Sequence, residues 1–580
     1  MTIRSDTQPS DTLDRLLHAN LSQLTNGISP AAVILAFVDW QLHLAFHPTK
    51  QLELLEQGQT FSYRLFCMQV NQLLDPQAET TGIKCPQQDK RFADDHWQVY
   101  PFNLIYQSFL SLQEWWNQAT TDVRGTNLHH AQVINFIFRQ ILDMFSPSNS
   151  PFLNPEIQNA TVEQKGQNFV QGTLNYLDDL RRNLLNEPPF GAENFVVGEN
   201  VAISPGQVIY RNELMELLQY EPLTPQVYAN PILITPAWIM KYYILDLRPQ
   251  HSLVRYLVKH GHTVFMVSWK NPGSEDRDRG MEDYLQLGIM AALKAVAAVV
   301  PRHKVHLIGY CLGGTLSAIA AATLARDGKN LLASLTLLAT QVDFTEPGEL
   351  GLFIDESQIA YLENLMWDKG YLDAKQMLGA FQLLRSNDLI WSRMIRDYLL
   401  GQRSPMTDLM AWNSDATRMP YRMHSEYLRN LFLNNQLAEG NYQVDHKPIA
   451  LADIAVPIFS VATERDHVSP WHSVFKINLL TTVDVTFVLT SGGHNVGIVS
   501  LPVKKTKRHY RISTFKEQDR YLDPDRWYRK TKYVRGSWWP ALQIWLQQHS
   551  GKQVDPPPMG CKEKGYRPLG EAPGSYVKRE

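Results

Sequence analysis

Three residues could carry nucleophilic chemistry, each lying just beyond a short apolar run. The first is Cys311, in Gly309-Tyr310-Cys311-Leu312-Gly313-Gly314, after the run Val305 to Ile308 and before a helical stretch ending near Arg326. A nucleophile in a G-x-Cys-x-G turn needs small neighbours, because the chain reverses sharply between strand and helix. The helix N-terminus that follows favours a thiolate and a developing oxyanion. Alone, the pattern fits a glycine-rich turn around an inert cysteine equally well. Two later residues tip the balance. Asp466 follows the run Pro457 to Val461, and His494 follows the run Asp484 to Leu489. Acid and then histidine, after the nucleophile, is the order this architecture uses.

The roles follow from the residue types. Cys311 attacks as a thiolate, His494 moves the proton and Asp466 holds the imidazole in one tautomer. The backbone N–H of Leu312 is one expected oxyanion donor. Ile239, in the loop after the run Pro231 to Thr235, is the candidate for the other. Glu464 is a minor rival to Asp466. Asp484 stands at the start of its run and so faces the wrong edge, and His467 is expected to be structural. A thiol exchanges readily with thioesters, so cysteine in the serine position suits acyl transfer from a thioester better than ester hydrolysis.

Short apolar runs near 231–235, 263–268, 305–308, 335–338, 457–461 and 484–489 alternate with helical stretches at 252–260, 284–300 and 313–326. That alternation predicts a mostly parallel sheet covered by helices on both faces. An α/β-hydrolase-like domain is therefore expected over 196–550. The gap between the runs at 335 and 457 is far longer than an ordinary connection, and it reads as an inserted cap over about 345–448. Residues 1–195 read as a helical domain. Leu13, Leu16, Leu17 and Leu21 recur at helical spacing, and Ser29-Pro30 caps a second helix that is apolar on most sides. Such a helix packs in a core, meets a second subunit, or lies on an apolar surface. Residues 551–580 read as an extended tail.

Composition narrows the class. The 580 residues are 44% hydrophobic and 19% charged, which excludes a largely disordered chain. A net charge of −3 gives no basic field for nucleic acid. The four cysteines (Cys67, Cys85, Cys311 and Cys561) form no CxxC pair, so neither a disulfide framework nor a structural zinc site is expected. No stretch reaches the roughly 18 unbroken apolar residues of a membrane span. The polar start, Met1 to Ser10, lacks a secretory pattern. A cytoplasmic protein is expected, with no metal.

These residues resemble the polyhydroxyalkanoate (PHA) synthase family. The resemblance rests on the Cys311 box, Lys241 to Leu247, Ser252 to Tyr256 and Val267 to Pro272. It extends to Asn387 to Trp391, Trp412 to Asp415, Gly536-Ser537-Trp538-Trp539-Pro540, Ala572 to Val577, Asp89 to Ala93 and Ser146 to Asn149. It implies a one-polypeptide, short-chain-type acyltransferase that polymerises (R)-3-hydroxyacyl-CoA. Cys311 would hold the growing chain as a thioester, and Asp466 would also help activate the 3-hydroxyl. It further implies a homodimer at the surface of cytoplasmic polymer granules. No cofactor is expected beyond the coenzyme A that enters with the substrate. The chain departs from the family pattern at Pro236 to Met240, which lacks the usual asparagine. It departs again at Val496, which is bulkier than expected beside the site and is a candidate substrate contact. Arg385 is a candidate contact to coenzyme A phosphates, its alternative being an ion pair with Asp388. The basic run Lys504 to Arg508 reads as a solvated loop, with a phosphate contact as its second reading. Two other functions share the motifs: a thioesterase or polyester depolymerase using the same triad, and a granule-bound structural protein with no activity.

Overall fold

The computed structural model describes residues 25, 27–74, 83, 89–503 and 506–579. The leucine pattern at 13–21, Cys85 and the pair Lys504-Lys505 lie outside the described residues. The chain divides into two compact units. One contains Gly191–Met377 and Thr407–Glu580, and the other contains Ile28–Phe190 and Leu378–Met406.

The first unit is built on an eleven-stranded sheet. Its strands are β1 (Gly206–Arg211), β2 (Met215–Tyr220), β3 (Ile232–Thr235), β4 (Val264–Trp269), β5 (Val305–Tyr310), β6 (Leu332–Leu338), β7 (Ile458–Thr463), β8 (Val485–Thr490), β9 (His509–Phe515), β10 (Tyr533–Arg535) and β11 (Gly570–Glu571). Their order across the sheet is β10-β9-β8-β7-β6-β5-β3-β4-β2-β1-β11. The six strands β3 to β8 run parallel, and the flanking pairs are antiparallel. Parallel strands need both faces covered, and alternate residues serve the two faces. Leu233, Phe265, Leu307 and Leu335 enter one buried cluster, while Ile234, Met266, Ile308 and Phe459 enter the other. Sequence patterning finds the six parallel strands because they are apolar on both faces. It passes over the outer strands, since Gly206–Arg211 and His509–Phe515 mix polar and apolar residues.

The segment expected as one cap is shared between the units. Helices Glu356–Lys369 and Asp408–Ser414 belong with the sheet, whereas Leu378–Met406 belongs to the helical unit. The reason is a set of contacts more than 200 residues apart in sequence. The Asn175 and Asn168 amides donate to Asp397 O and Leu399 O, both at 2.8 Å, and Arg403 meets Asp178 and Asp179 at 2.9 and 2.7 Å. Residues 551–579, expected as an extended tail, are built into the sheet unit. β11 pairs with β1, and the fully buried Glu216 carboxylate accepts from the backbone N–H groups of Ser575 and Tyr576, both at 2.9 Å.

The second unit is helical. Its helices include Pro30–Ala45, Pro48–Leu74, Phe102–Thr120, Leu128–Met144 and Gln167–Leu184. Ser29 caps the first as expected, its Oγ accepting from Ala32 N at 3.3 Å. Trp40 is buried and donates to Ala119 O at 2.8 Å, while Ile34, Leu35 and Leu42 stay exposed on this chain. In the Asp89 to Ala93 segment, Arg91 bridges Asp89 and Asp143 at 2.7 Å each. No helix among the described residues is long and apolar enough to cross a membrane.

Candidate active site

Cys311 caps the helix Leu312–Arg326 with φ 53° and ψ −124°, in a region that non-glycine residues rarely occupy. This strain is what a nucleophile elbow stores: the side chain is lifted clear of both strand and helix. It is held there by backbone bonds. Cys311 N donates to Leu338 O at 2.9 Å, and Cys311 O accepts from Gly314 N at 2.9 Å and from Thr315 N at 3.2 Å. The helix then runs so close to the sheet that a Cβ on Gly313 would lie 2.3 Å from Thr235 O and 2.5 Å from Pro236 O. Leu312, as the first helical residue, has an N–H with no acceptor one turn earlier.

Asp466 and His494 stand on the same edge, just past β7 and β8. His494 Nδ1 donates to the carboxylate, 2.8 Å from Oδ2 and 3.0 Å from Oδ1. The Asp466 side chain is fully buried. Val468 N and Ser469 N donate to its Oδ1 at 2.9 and 2.8 Å, and Thr463 Oγ1 donates to Oδ2 at 3.1 Å. The imidazole also reaches the Cys311 thiol. Burial works against its charged form, but the charges of Asp466 and Cys311 outweigh burial and raise its pKa well above the ordinary histidine range. The arrangement can hold a proton on the imidazole beside Cys311.

The space beside the thiol is small. A cavity of about 20 Å3 is lined by Cys311, Leu312 and Ser469 below and by Phe344, Tyr427 and Phe432 above. The three rings contact one another at centroid separations of 4.7 to 6.3 Å. That volume admits about one water molecule.

The chain that builds this site has relatives. The alpha/beta hydrolase fold pattern matches residues 230–499. The poly-beta-hydroxybutyrate polymerase N-terminus matches 88–257, and a second N-terminal polymerase pattern matches 8–50. The poly(3-hydroxyalkanoate) polymerase of Methylorubrum extorquens is 40% identical over 500 residues, covering 86% of this chain and 82% of that one. The chain belongs to the poly(3-hydroxyalkanoate) polymerase family. The polymerase subunits of Rhizobium meliloti (38% over 496 residues, 84% of this chain and 79% of that one) and Cupriavidus necator (35% over 516 residues, 87% and 85%) are similar throughout. The α/β-hydrolase fold and the family resemblance read from the sequence are thus borne out. By that membership the chain is an enzyme of the acyltransferase type.

The other candidate residues of this family member are distributed as follows. Ile239 lies in the loop after β3, where its carbonyl accepts from Thr417 N at 3.3 Å. Val496 is exposed, two residues past His494. Arg385 lies in the helical unit and pairs with Asp388. Glu464, the rival acid, meets His509 at 3.2 Å, and Asp484 meets Lys516 at 2.5 Å. Sequence reasoning missed the aromatic lining at Phe344, Tyr427 and Phe432. Only the excess of aromatics in the insertion hints at it.

Asp246, from the Lys241 to Leu247 motif, is fully buried and accepts from Ser204 and Ser252 at 2.5 and 2.6 Å. Burial outweighs these bonds and pushes its pKa up to about 6. The folded state therefore holds this proton more tightly than the unfolded chain, and the stability it lends fades as pH rises from about 4 to 6. The difference in proton affinity between the two states corresponds to about 3 kcal/mol. Asp246→Asn keeps an oxygen for both serines and has no charge to bury. The variant is expected to flatten the stability profile between pH 4 and 6 and to unfold later than the parent at pH 8 in urea titrations. Earlier unfolding of the variant at pH 8 would contradict this.

Proposed function

We propose that the chain polymerises (R)-3-hydroxyacyl groups from coenzyme A thioesters into polyhydroxyalkanoate, with Cys311, His494 and Asp466 as the catalytic set. The observation that carries this reading is the strained Cys311 elbow with the His494–Asp466 hydrogen bond beside it. The Cys311 thiolate adds to the thioester carbonyl, and the oxyanion is met by the N–H groups of Leu312 and Ile239. Collapse expels the coenzyme A thiolate, which takes a proton from His494, leaving an acyl-cysteine. The 3-hydroxyl of an incoming monomer then attacks that thioester as His494 accepts its proton, with Asp466 supporting the transfer. Cys311 leaves as thiolate and recaptures the lengthened chain by displacing its coenzyme A. One coenzyme A leaves per unit added, and no other cofactor or metal is needed.

The cavity beside Cys311 admits about one water molecule, so in this reading a hydroxyacyl unit enters as the walls bearing Phe344, Tyr427 and Phe432 part. Val496 and Arg385 are the weaker members of the reading, as a substrate contact and an anion contact. A homodimer on granule surfaces in the cytoplasm, with the exposed face of Pro30–Ala45 toward polymer or partner, completes the reading.

The test is purified protein with (R)-3-hydroxybutyryl-CoA, following thiol release and product together. Thiol release with insoluble polyester, abolished in Cys311→Ala, is the expected result. Free 3-hydroxybutyrate would make the chain a thioesterase, and polymer from the alanine variant would overturn the mechanism.

A further inference from the structure

The turn that carries His494 is short for its task. His494–Ile498 is a helix of five residues, so its last carbonyls have no N–H to accept within the helix. Gly497, Ile498 and Ser500 are buried and out of reach of solvent. Their carbonyls meet side-chain donors from one distant segment. Trp538 Nε1 donates to Gly497 O and Trp539 Nε1 to Ile498 O, both at 3.0 Å. Ser537 Oγ donates to Ser500 O and accepts from Trp539 N at 3.1 Å. Both indoles are fully buried. They open the helix Trp539–Gln548, which is anchored by the fully buried Leu542 and Leu546. On its other side the turn is held by Tyr310, whose hydroxyl donates to Asn495 Oδ1 at 2.6 Å, and by Arg508, which donates to Val496 O at 2.6 Å.

We propose that Ser537, Trp538 and Trp539 are positioning residues for His494, a rigid cradle that fixes the imidazole between the Cys311 thiol and Asp466. The proposal rests on the reading of His494 as the catalytic base and explains the chemistry of the Gly536 to Pro540 motif. Two indoles suit the task because each combines a large buried surface with a single N–H of fixed direction. A misplacement of the base by a fraction of an ångström weakens proton transfer without changing what the substrate contacts.

The test removes the N–H groups and keeps the bulk. In Trp538→Phe and Trp539→Phe, and in proteins carrying a benzothienyl analogue of tryptophan at either position, kcat for coenzyme A release is expected to fall about tenfold with KM nearly unchanged. The pH profile of Cys311 alkylation by iodoacetamide is expected to shift in the same proteins. The analogue covers the case in which phenylalanine fails to fold. If the folded analogue proteins keep the parent kcat and alkylation profile and lose only thermal stability, the cradle is purely structural and the proposal falls. His494→Ala separates the two ideas. If it alkylates with the parent profile, the reading of His494 falls and takes the cradle with it. If its profile changes while the tryptophan proteins match the parent, the cradle alone is wrong.

Discussion

Asp466→Asn is expected to lower turnover about a thousandfold to ten-thousandfold while leaving the fold and KM nearly unchanged. The size of the effect follows from the partners of the carboxylate. Val468 N and Ser469 N both donate to Oδ1, so an amide at this position must present its oxygen to them. Its NH2 group then faces His494 Nδ1, where Oδ2 stood at 2.8 Å. Two donors cannot share that contact, so the imidazole must carry its proton on Nε2, the nitrogen turned toward the thiol. In that tautomer the ring cannot take a proton from Cys311. The substitution preserves shape but removes the charge that holds the proton on His494, so circular dichroism should match the parent while the urea midpoint falls modestly. The measurement is coenzyme A release from (R)-3-hydroxybutyryl-CoA. Turnover within tenfold of the parent would remove Asp466 from the mechanism and make Glu464 the candidate acid.

Gly309→Ala is expected to have the largest effect on stability. A Cβ there would lie 2.3 Å from Gly314 Cα and 2.7 Å from Gly313 O. Both are backbone atoms of the helix that follows Cys311, so relief requires helix and strand to separate. Gly314 is fixed from its other side, where its own Cβ would lie 1.9 Å from Thr340 Oγ1. Overpacking in a core typically costs about 1–3 kcal/mol, and a clash that moves backbone belongs at or above the upper end, a large share of the roughly 5–15 kcal/mol that holds a typical domain together. Little soluble protein is expected, and any that folds should lose the Cys311 geometry. Gly58→Ala is the control. It sits within the helix Pro48–Leu74, and its Cβ would meet only Trp115 Nε1, at 3.8 Å. It should gain about 0.5–1 kcal/mol, because alanine favours the helix and restricts the unfolded chain. Urea midpoints of the two variants should therefore move in opposite directions. A Gly309→Ala protein as stable as the parent would mean that strand and helix do not meet at this contact.

What could be read from the sequence was whatever is written in local pattern. The parallel strands are buried on both faces, so their apolar runs stand out, and the loops at their carboxyl ends could be searched for reactive residues in chain order. Cys311, Asp466 and His494 each lie directly after the strand that their surroundings indicate. The glycines at 309, 313 and 314 signal a close approach of strand and helix by their spacing alone. The family was equally legible, because its motifs are short and contiguous. The tertiary structure decided what depends on residues far apart. Leu378–Met406 joins the helical unit because Asn168, Asn175 and Arg403 find their partners across more than 200 residues, and no periodicity records that. Residues 570–579 join the sheet unit, where Glu216, on a strand more than 350 residues earlier, needs donors for a fully buried carboxylate. The roles of Trp538 and Trp539 are invisible in sequence for the same reason: hydrophobic pattern marks a tryptophan as buried, but the carbonyl that its N–H meets is chosen by how the sheet and the turns at its edge come together.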